Sequence, residues 1–275
     1  MKALTEKYRP QTLAQIRGNE LIVRMLKSFV KNPVPKAFLL SGPPGCGKTS
    51  AAYAIARELG CDFECGGPKE CGGIFEIASG EMTADTVREM FKTTLAYSPF
   101  YGSGWKVVIA NEADKMSAKA SEIWLDVLEH LPEKCVVVFS TNDVRGLESR
   151  FRQRCECHAF KTPVRGFDQP ESPAEIAAQS LIDEVWQAEL GHNHSPRLAD
   201  LDGWNDGGHL SFRSVLSALD PLIRAQREID IEQAEIEKQK AAEIKLPEIM
   251  PSGRVSALAE MEKARAFFAG NLATA

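Results

Sequence analysis

The run Gly42-Pro43-Pro44-Gly45-Cys46-Gly47-Lys48-Thr49-Ser50 sets glycines, a lysine and a hydroxyl at the spacing G-x-x-x-x-G-K-[ST]. In that pattern glycine lets backbone N–H groups wrap a triphosphate, the lysine reaches the β- and γ-phosphates, and the hydroxyl ligates Mg²⁺. The alternative is a chance glycine-rich turn, which has no reason to follow a strand or open a helix. Here the apolar Ala37-Phe38-Leu39-Leu40 precedes the loop and the helix-forming Ser50-Ala51-Ala52-Tyr53-Ala54-Ile55-Ala56 follows it. The expected ligand is a nucleoside triphosphate with Mg²⁺, bound by the loop residues with Thr49 on the metal.

A nucleotide site of this kind needs a second strand ending in acid, and Val107-Val108-Ile109-Ala110-Asn111-Glu112-Ala113-Asp114 supplies one. Glu112 is placed to polarise the water that attacks the γ-phosphate. The preceding position normally carries an aspartate that orients the metal shell, whereas here it is Asn111, which adds no negative charge toward a divalent cation. Slow or conditional hydrolysis is the expectation. Ser140-Thr141-Asn142 closes another apolar run, so Asn142 falls at the carboxyl edge of the sheet, where ligands of such folds bind; a turn-forming Asn is the alternative. In Glu148-Ser149-Arg150-Phe151-Arg152-Gln153-Arg154-Cys155 any guanidinium could meet a γ-phosphate bidentately, and all could equally be solvated.

These residues require a sheet to hold them in one plane. Phe38 to Leu40, Ile74 to Ile77, Lys106 to Ala110 and Cys135 to Ser140 read as strands, with helices over 20–30, 49–59, 83–96 and 118–131. Short apolar runs alternating with helices predict an α/β domain with a parallel sheet covered on both faces. After about Thr162 the strand signal stops, and Pro163, Gly166, Pro170 and Pro173 read as a linker. Helical spacing over 174–190 and 212–223 predicts a small all-α domain. A charged run from Gln226 to Lys245 reads as a solvated helix, followed by a break at Pro247, Pro251 and Gly253 and a last helix near 256–269. The expected division is 1–162, 163–225 and 226–275.

Composition excludes little else. The 275-residue chain has a net charge of −5, which does not advertise nucleic-acid binding but leaves room for a local basic strip. No apolar run is long enough to span a bilayer and the N-terminal residues lack a signal-like apolar stretch, so a cytoplasmic location is expected. Seven cysteines, an odd number, argue for reduced thiols or a metal site over a disulfide framework.

The ordered set Glu6-Lys7-Tyr8-Arg9-Pro10-Gln11-Thr12-Leu13, Gly18-Asn19-Glu20, the phosphate loop, Asn111-Glu112-Ala113-Asp114, Ser140-Thr141-Asn142 and Arg154-Cys155 resembles the AAA+ ATPase subunits of sliding-clamp loaders, from about residue 5 to 225. The likeness extends to the small subunits of replication factor C and to the bacterial tau/gamma subunit. It implies an AAA+ ATPase domain followed by a helical lid. It places Tyr8, Arg9 and Pro10 near the adenine and makes Glu112 the catalytic acid and Asn142 a polar sensor. Arg154 becomes an arginine finger acting on a neighbouring subunit, although Gln153 stands where the family usually has Ser. Arg213, in Leu210-Ser211-Phe212-Arg213-Ser214, becomes a second sensor. Implied partners are other AAA+ subunits in a ring or spiral, a sliding clamp, and primed DNA held by its phosphates, for which Arg88, Lys115 and Lys119 are candidates.

Two further departures leave alternatives open. The family's helical collar of about a hundred residues has only the charged helix and a short tail in its place. Bacterial relatives carry a four-cysteine zinc module where this chain has Cys61, Cys65 and Cys71; either Asp62 or Glu70 completes a Zn²⁺ site, or these are reduced thiols in a glycine-rich loop. The implied function is ATP-dependent loading of a clamp in DNA replication. An ATP-binding assembly module with little turnover, or a remodeller of another replication or repair complex, are the alternatives.

Overall fold

The computed structural model describes residues 2–78, 81–164 and 170–243. A short helix α1 (Leu4–Lys7) leads to α2 (Glu20–Lys31), after which strands and helices alternate. They are β1 (Lys36–Ser41), α3 (Lys48–Glu58), β2 (Ile74–Ile77), α4 (Ala84–Glu89), β3 (Lys106–Ala110), α5 (Ala118–Glu129), β4 (Cys135–Thr141), α6 (Ser149–Gln153) and β5 (Glu156–Ala159).

The five strands form one parallel sheet in the order β2-β3-β4-β1-β5, as expected of an α/β domain. β3 and β4 are buried at every position. Their side chains therefore divide by parity between two cores. Phe38, Leu40, Val107, Ile109, Val136 and Val138 pack with Val23, Leu26 and Ile55 on one face. Ala37, Leu39, Val108, Val137 and Phe139 pack with Trp124 and Phe151 on the other. In the second core Phe91, Trp124, Phe139 and Phe151 meet edge to face at centroid distances of 5.4, 4.8 and 4.9 Å. Ser41 pairs with Thr141 of β4, so the loop leaving β1 starts beside the carboxyl end of its neighbour.

Several elements differ from the expectation. β5 was not foreseen: Glu156-Cys157-His158-Ala159 lacks a branched apolar run, and it pairs only with β1, at the sheet edge. The helix expected over 83–96 is α-helical only to Glu89 and widens to a π-turn over Met90–Thr94, where Thr93 Oγ1 donates to the Glu89 carbonyl at 2.6 Å. Pro173 does not mark linker but opens α7 (Pro173–Leu190) at its first turn, with Ser172 and Glu175 forming a reciprocal cap. The all-α expectation for the following segment misses a two-residue hairpin, β6 (Asn205–Asp206) and β7 (His209–Leu210). Helix α8 (Phe212–Glu243) then continues through Pro221.

A third core holds Ile182, Val185, Leu210, Val215 and Leu219 together with Leu4 of α1. The chain divides into two units between residues 226 and 227. In the second, residues 227–243 are helical, with Ile229, Ile231 and Ile236 exposed. Gly166, the Pro247/Pro251/Gly253 break and the last expected helix lie outside the described residues. No helix among the described residues is long and apolar enough to cross a membrane.

Candidate nucleotide site

The loop after β1 turns sharply because Gly42 and Gly45 carry φ of 146° and 74°. A Cβ on Gly42 would stand 2.5 Å from the Phe160 carbonyl, and one on Gly45 would stand 2.2 Å from Ser211 Oγ. Only glycine allows this path. It delivers Lys48 and Thr49 to the first turn of α3, where unpaired backbone N–H groups gather. Lys48 is buried, and its ammonium donates to the Gly42 and Pro43 carbonyls at 2.8 Å each and to Asn142 Oδ1 at 2.9 Å. Burial lowers its pKa, and the nearby Arg213 adds to that. Cys46, also buried, has its thiol pushed up.

Across from the loop, Thr49 Oγ1 donates to Asn111 Oδ1 at 3.3 Å and Ser140 Oγ donates to the same oxygen at 3.1 Å. The Asn111 amide donates to Glu76 Oε1 at 3.2 Å. Glu112 adopts φ 55°, a left-handed backbone that few non-glycine residues take and that recurs at functional positions. Lys115 Nζ donates to Glu112 Oε2 at 2.6 Å, which raises the lysine pKa. Asp114 receives the Thr141 hydroxyl at 2.7 Å and holds the backbone after β4.

A cavity of about 600 Å³ joins these groups. Its walls include Pro44, Gly45, Cys46, Gly47, Lys48, Thr49 and Ser50 from the loop, and Asn111, Glu112 and Asn142 from the strand ends. Tyr8, Arg9 and Pro10 line it from the N-terminal segment, and Arg213 lines it from the start of α8. Arg9 lies over the Tyr53 ring at 4.8 Å, and the Tyr8 hydroxyl donates to Glu189 at 2.8 Å. Arg17 pairs with Glu184 of α7, tying the N-terminal side of the cavity to the helical one. The apolar wall of Ile16, Leu181 and Leu216, suited to a flat aromatic group, was not anticipated. Its residues come from three segments far apart in the chain.

Residues 38–163 match the family described as ATPase family associated with various cellular activities (AAA). This segment, somewhat under half of the chain, is what resembles that family's ATPase domain. The chain is 33% identical over 157 residues to the replication factor C small subunit of Archaeoglobus fulgidus, covering 57% of this chain and 47% of that one. It is 33% identical over 180 residues to the replication factor C small subunit of Haloarcula marismortui, covering 65% and 53%. It spans about half the length of these curated relatives. A RuvB variant of Thermotoga maritima superposes with a TM-score of 0.50 at 16% identity, over 67% of this chain and 55% of that one, which is a likeness of fold alone.

Arg154 caps α6 at the rim of the AAA domain, outside the walls of the cavity. Its guanidinium pairs with Glu129 of α5, with Nε to Oε1 at 3.0 Å, and its Nη1 donates to the Arg150 carbonyl at 3.1 Å. Arg150 pairs with Glu148.

The zinc expectation is corrected. Among the described residues no group of three or more His, Cys, Asp or Glu side chains could hold a metal. Cys61 is buried, its thiol directed at the Gly73 and Trp105 carbonyls and pushed up to about 12, so it stays protonated. Cys65 donates to the Pro68 carbonyl at 3.4 Å. Cys71 is half-buried and is not brought into a shared ligand set with either.

Proposed function

We propose that this chain binds ATP with Mg²⁺ and hydrolyses it as a clamp-loader-type AAA+ subunit, its ATPase domain spanning 1–162, its lid 163–225 and a charged helical tail the remainder. The observation that carries the reading is the convergence of Lys48, Thr49, Asn142 and Arg213 on one cavity with Tyr8, Arg9 and Pro10 at its far side. Lys48 and the loop amides bind the phosphates, with Gly42 and Pro43 holding the ammonium in place. Thr49 and Asn111 would hold Mg²⁺ through neighbouring oxygens, and the cation would supply charge neutralisation for the phosphates. Glu112 orients the attacking water, Asn142 and Arg213 register the γ-phosphate, and Arg154 completes the site of a neighbouring subunit.

The lid closing over the nucleotide links binding to assembly with sister subunits, a clamp and primed DNA. DNA contacts fall to phosphates. Arg88, Lys92 and Lys119 line one groove between α4 and α5, together with Glu122 and Asp126. The exposed Tyr97, Phe100 and Tyr101 offer an apolar surface for a protein partner such as the clamp.

The second reading, an ATP-binding module with weak turnover, is favoured by Asn111 and by the Lys115 bond that occupies a Glu112 oxygen. Steady-state hydrolysis with primed template and the cognate clamp separates the two. Turnover stimulated well above background supports the first; nucleotide binding without stimulated turnover establishes the second.

A further inference from the structure

Glu76 is the one exposed position in the otherwise buried strand β2, and its side chain turns toward the nucleotide site rather than simply into solvent. The parallel pairing of β2 with β3 sets Ile77 opposite Ala110. The residues flanking that pair, Glu76 and Asn111, thereby come together at the carboxyl edge of the sheet. Glu76 Oε1 receives the Asn111 amide at 3.2 Å, and Oε2 receives the Tyr53 hydroxyl at 2.5 Å. Lys69 stands 3.3 Å from Oε2. Tyr53 lies on α3, one turn beyond Thr49, so Oε2 is held from the helix that carries the phosphate loop and Oε1 from the end of β3.

We propose that Glu76 is a positioning residue for the nucleotide-bound divalent cation. It provides, one strand away, the negative charge that Asn111 lacks, and it locks the Asn111 amide so that Oδ1 faces Thr49. The inference rests on the nucleotide reading above. An asparagine alone is neutral and can present either end of its amide. Donating to a carboxylate fixes which end faces the metal side and polarises the amide oxygen. Lys69, carried by the cysteine-containing loop before β2, offsets part of the charge, so the loop tunes the site through this one contact.

The test uses the full chain with Mn²⁺ as the probe. Mn²⁺ is titrated by EPR into protein carrying one equivalent of ADP, and ADP affinity is measured separately in EDTA. Glu76→Gln keeps an oxygen for the Asn111 amide and removes the charge, while the group facing Tyr53 and Lys69 becomes an NH₂ donor. It is expected to weaken Mn²⁺ by about five- to tenfold, the scale of a single charge acting across an intervening side chain in a partly solvated site, with metal-free ADP affinity unchanged. Lys69→Met is expected to move Mn²⁺ affinity the other way, about twofold tighter, as an exposed pair allows.

Unchanged Mn²⁺ affinity in Glu76→Gln overturns the proposal. So does a loss matched by an equal loss of metal-free ADP affinity, because the residue then shapes the pocket and not the cation shell. If the unmodified chain binds no ADP, the nucleotide reading fails and this inference falls with it; if it binds ADP and Mn²⁺ and only Glu76→Gln is silent, the inference alone fails.

Discussion

Asn111 uses both ends of its amide, taking hydroxyls from Thr49 and Ser140 and giving a proton to Glu76. Restoring an aspartate there is therefore not a simple gain of charge. Asn111→Asp sets two carboxylates at the 3.2 Å now spanned by a hydrogen bond, where like charges raise one pKa and share a proton. The expected outcome is little change in ATPase rate for Asn111→Asp and a several-fold rise for Asn111→Asp combined with Glu76→Gln, read in a coupled-enzyme assay. Lys48→Met is expected to weaken nucleotide binding by about a hundredfold, the scale of one or two lost charge-assisted bonds, checked by calorimetry. The loop from Gly42 to Thr49 was legible because its chemistry is contained in consecutive residues. Glu76 was not, because its importance depends on which strand lies beside β3, and nothing local to Ile74-Phe75-Glu76-Ile77 states that.

At the scale of elements, the central strands were readable from composition alone, since β1, β3 and β4 are buried on both faces and apolar nearly throughout. β5 was not, since an edge strand held by β1 alone tolerates Glu156 and His158. Pro173 misled for a related reason: the same residue that ends a helix also starts one. The aromatic ladder through Phe139 makes a clear packing prediction. Phe139→Ala should lower stability by about 3–5 kcal/mol, measured by urea unfolding of the full chain followed by far-ultraviolet circular dichroism. Where the loop meets the start of α8, Gly45→Ala forces a methyl onto Ser211 in a backbone conformation alanine resists. Nucleotide affinity should fall at least tenfold while the far-ultraviolet circular dichroism is retained.

For the whole molecule, the proposed assembly rests on Arg154, which lies outside the lining of its own chain's cavity. Arg154→Ala should lower turnover by about a thousandfold in the assembled particle and leave nucleotide affinity nearly intact; preserved turnover would refute the trans role. Its stability should barely move, since an exposed ion pair contributes little. A division of labour between subunits is proposed from the resemblance alone, because one chain's sequence does not show what its rim faces. The pairing of Arg154 with Glu129 carries a consequence of its own. In the proposed assembly, docking on a neighbour would not satisfy a bare cation; it would swap a carboxylate for a phosphate, so the number of ion pairs would be conserved. The contact would then work as a comparator, closing only when the incoming group is more anionic than the one it displaces. Association so governed is steep in the phosphate count of the bound nucleotide and shallow in salt, and Glu129→Gln should let the particle form on ADP.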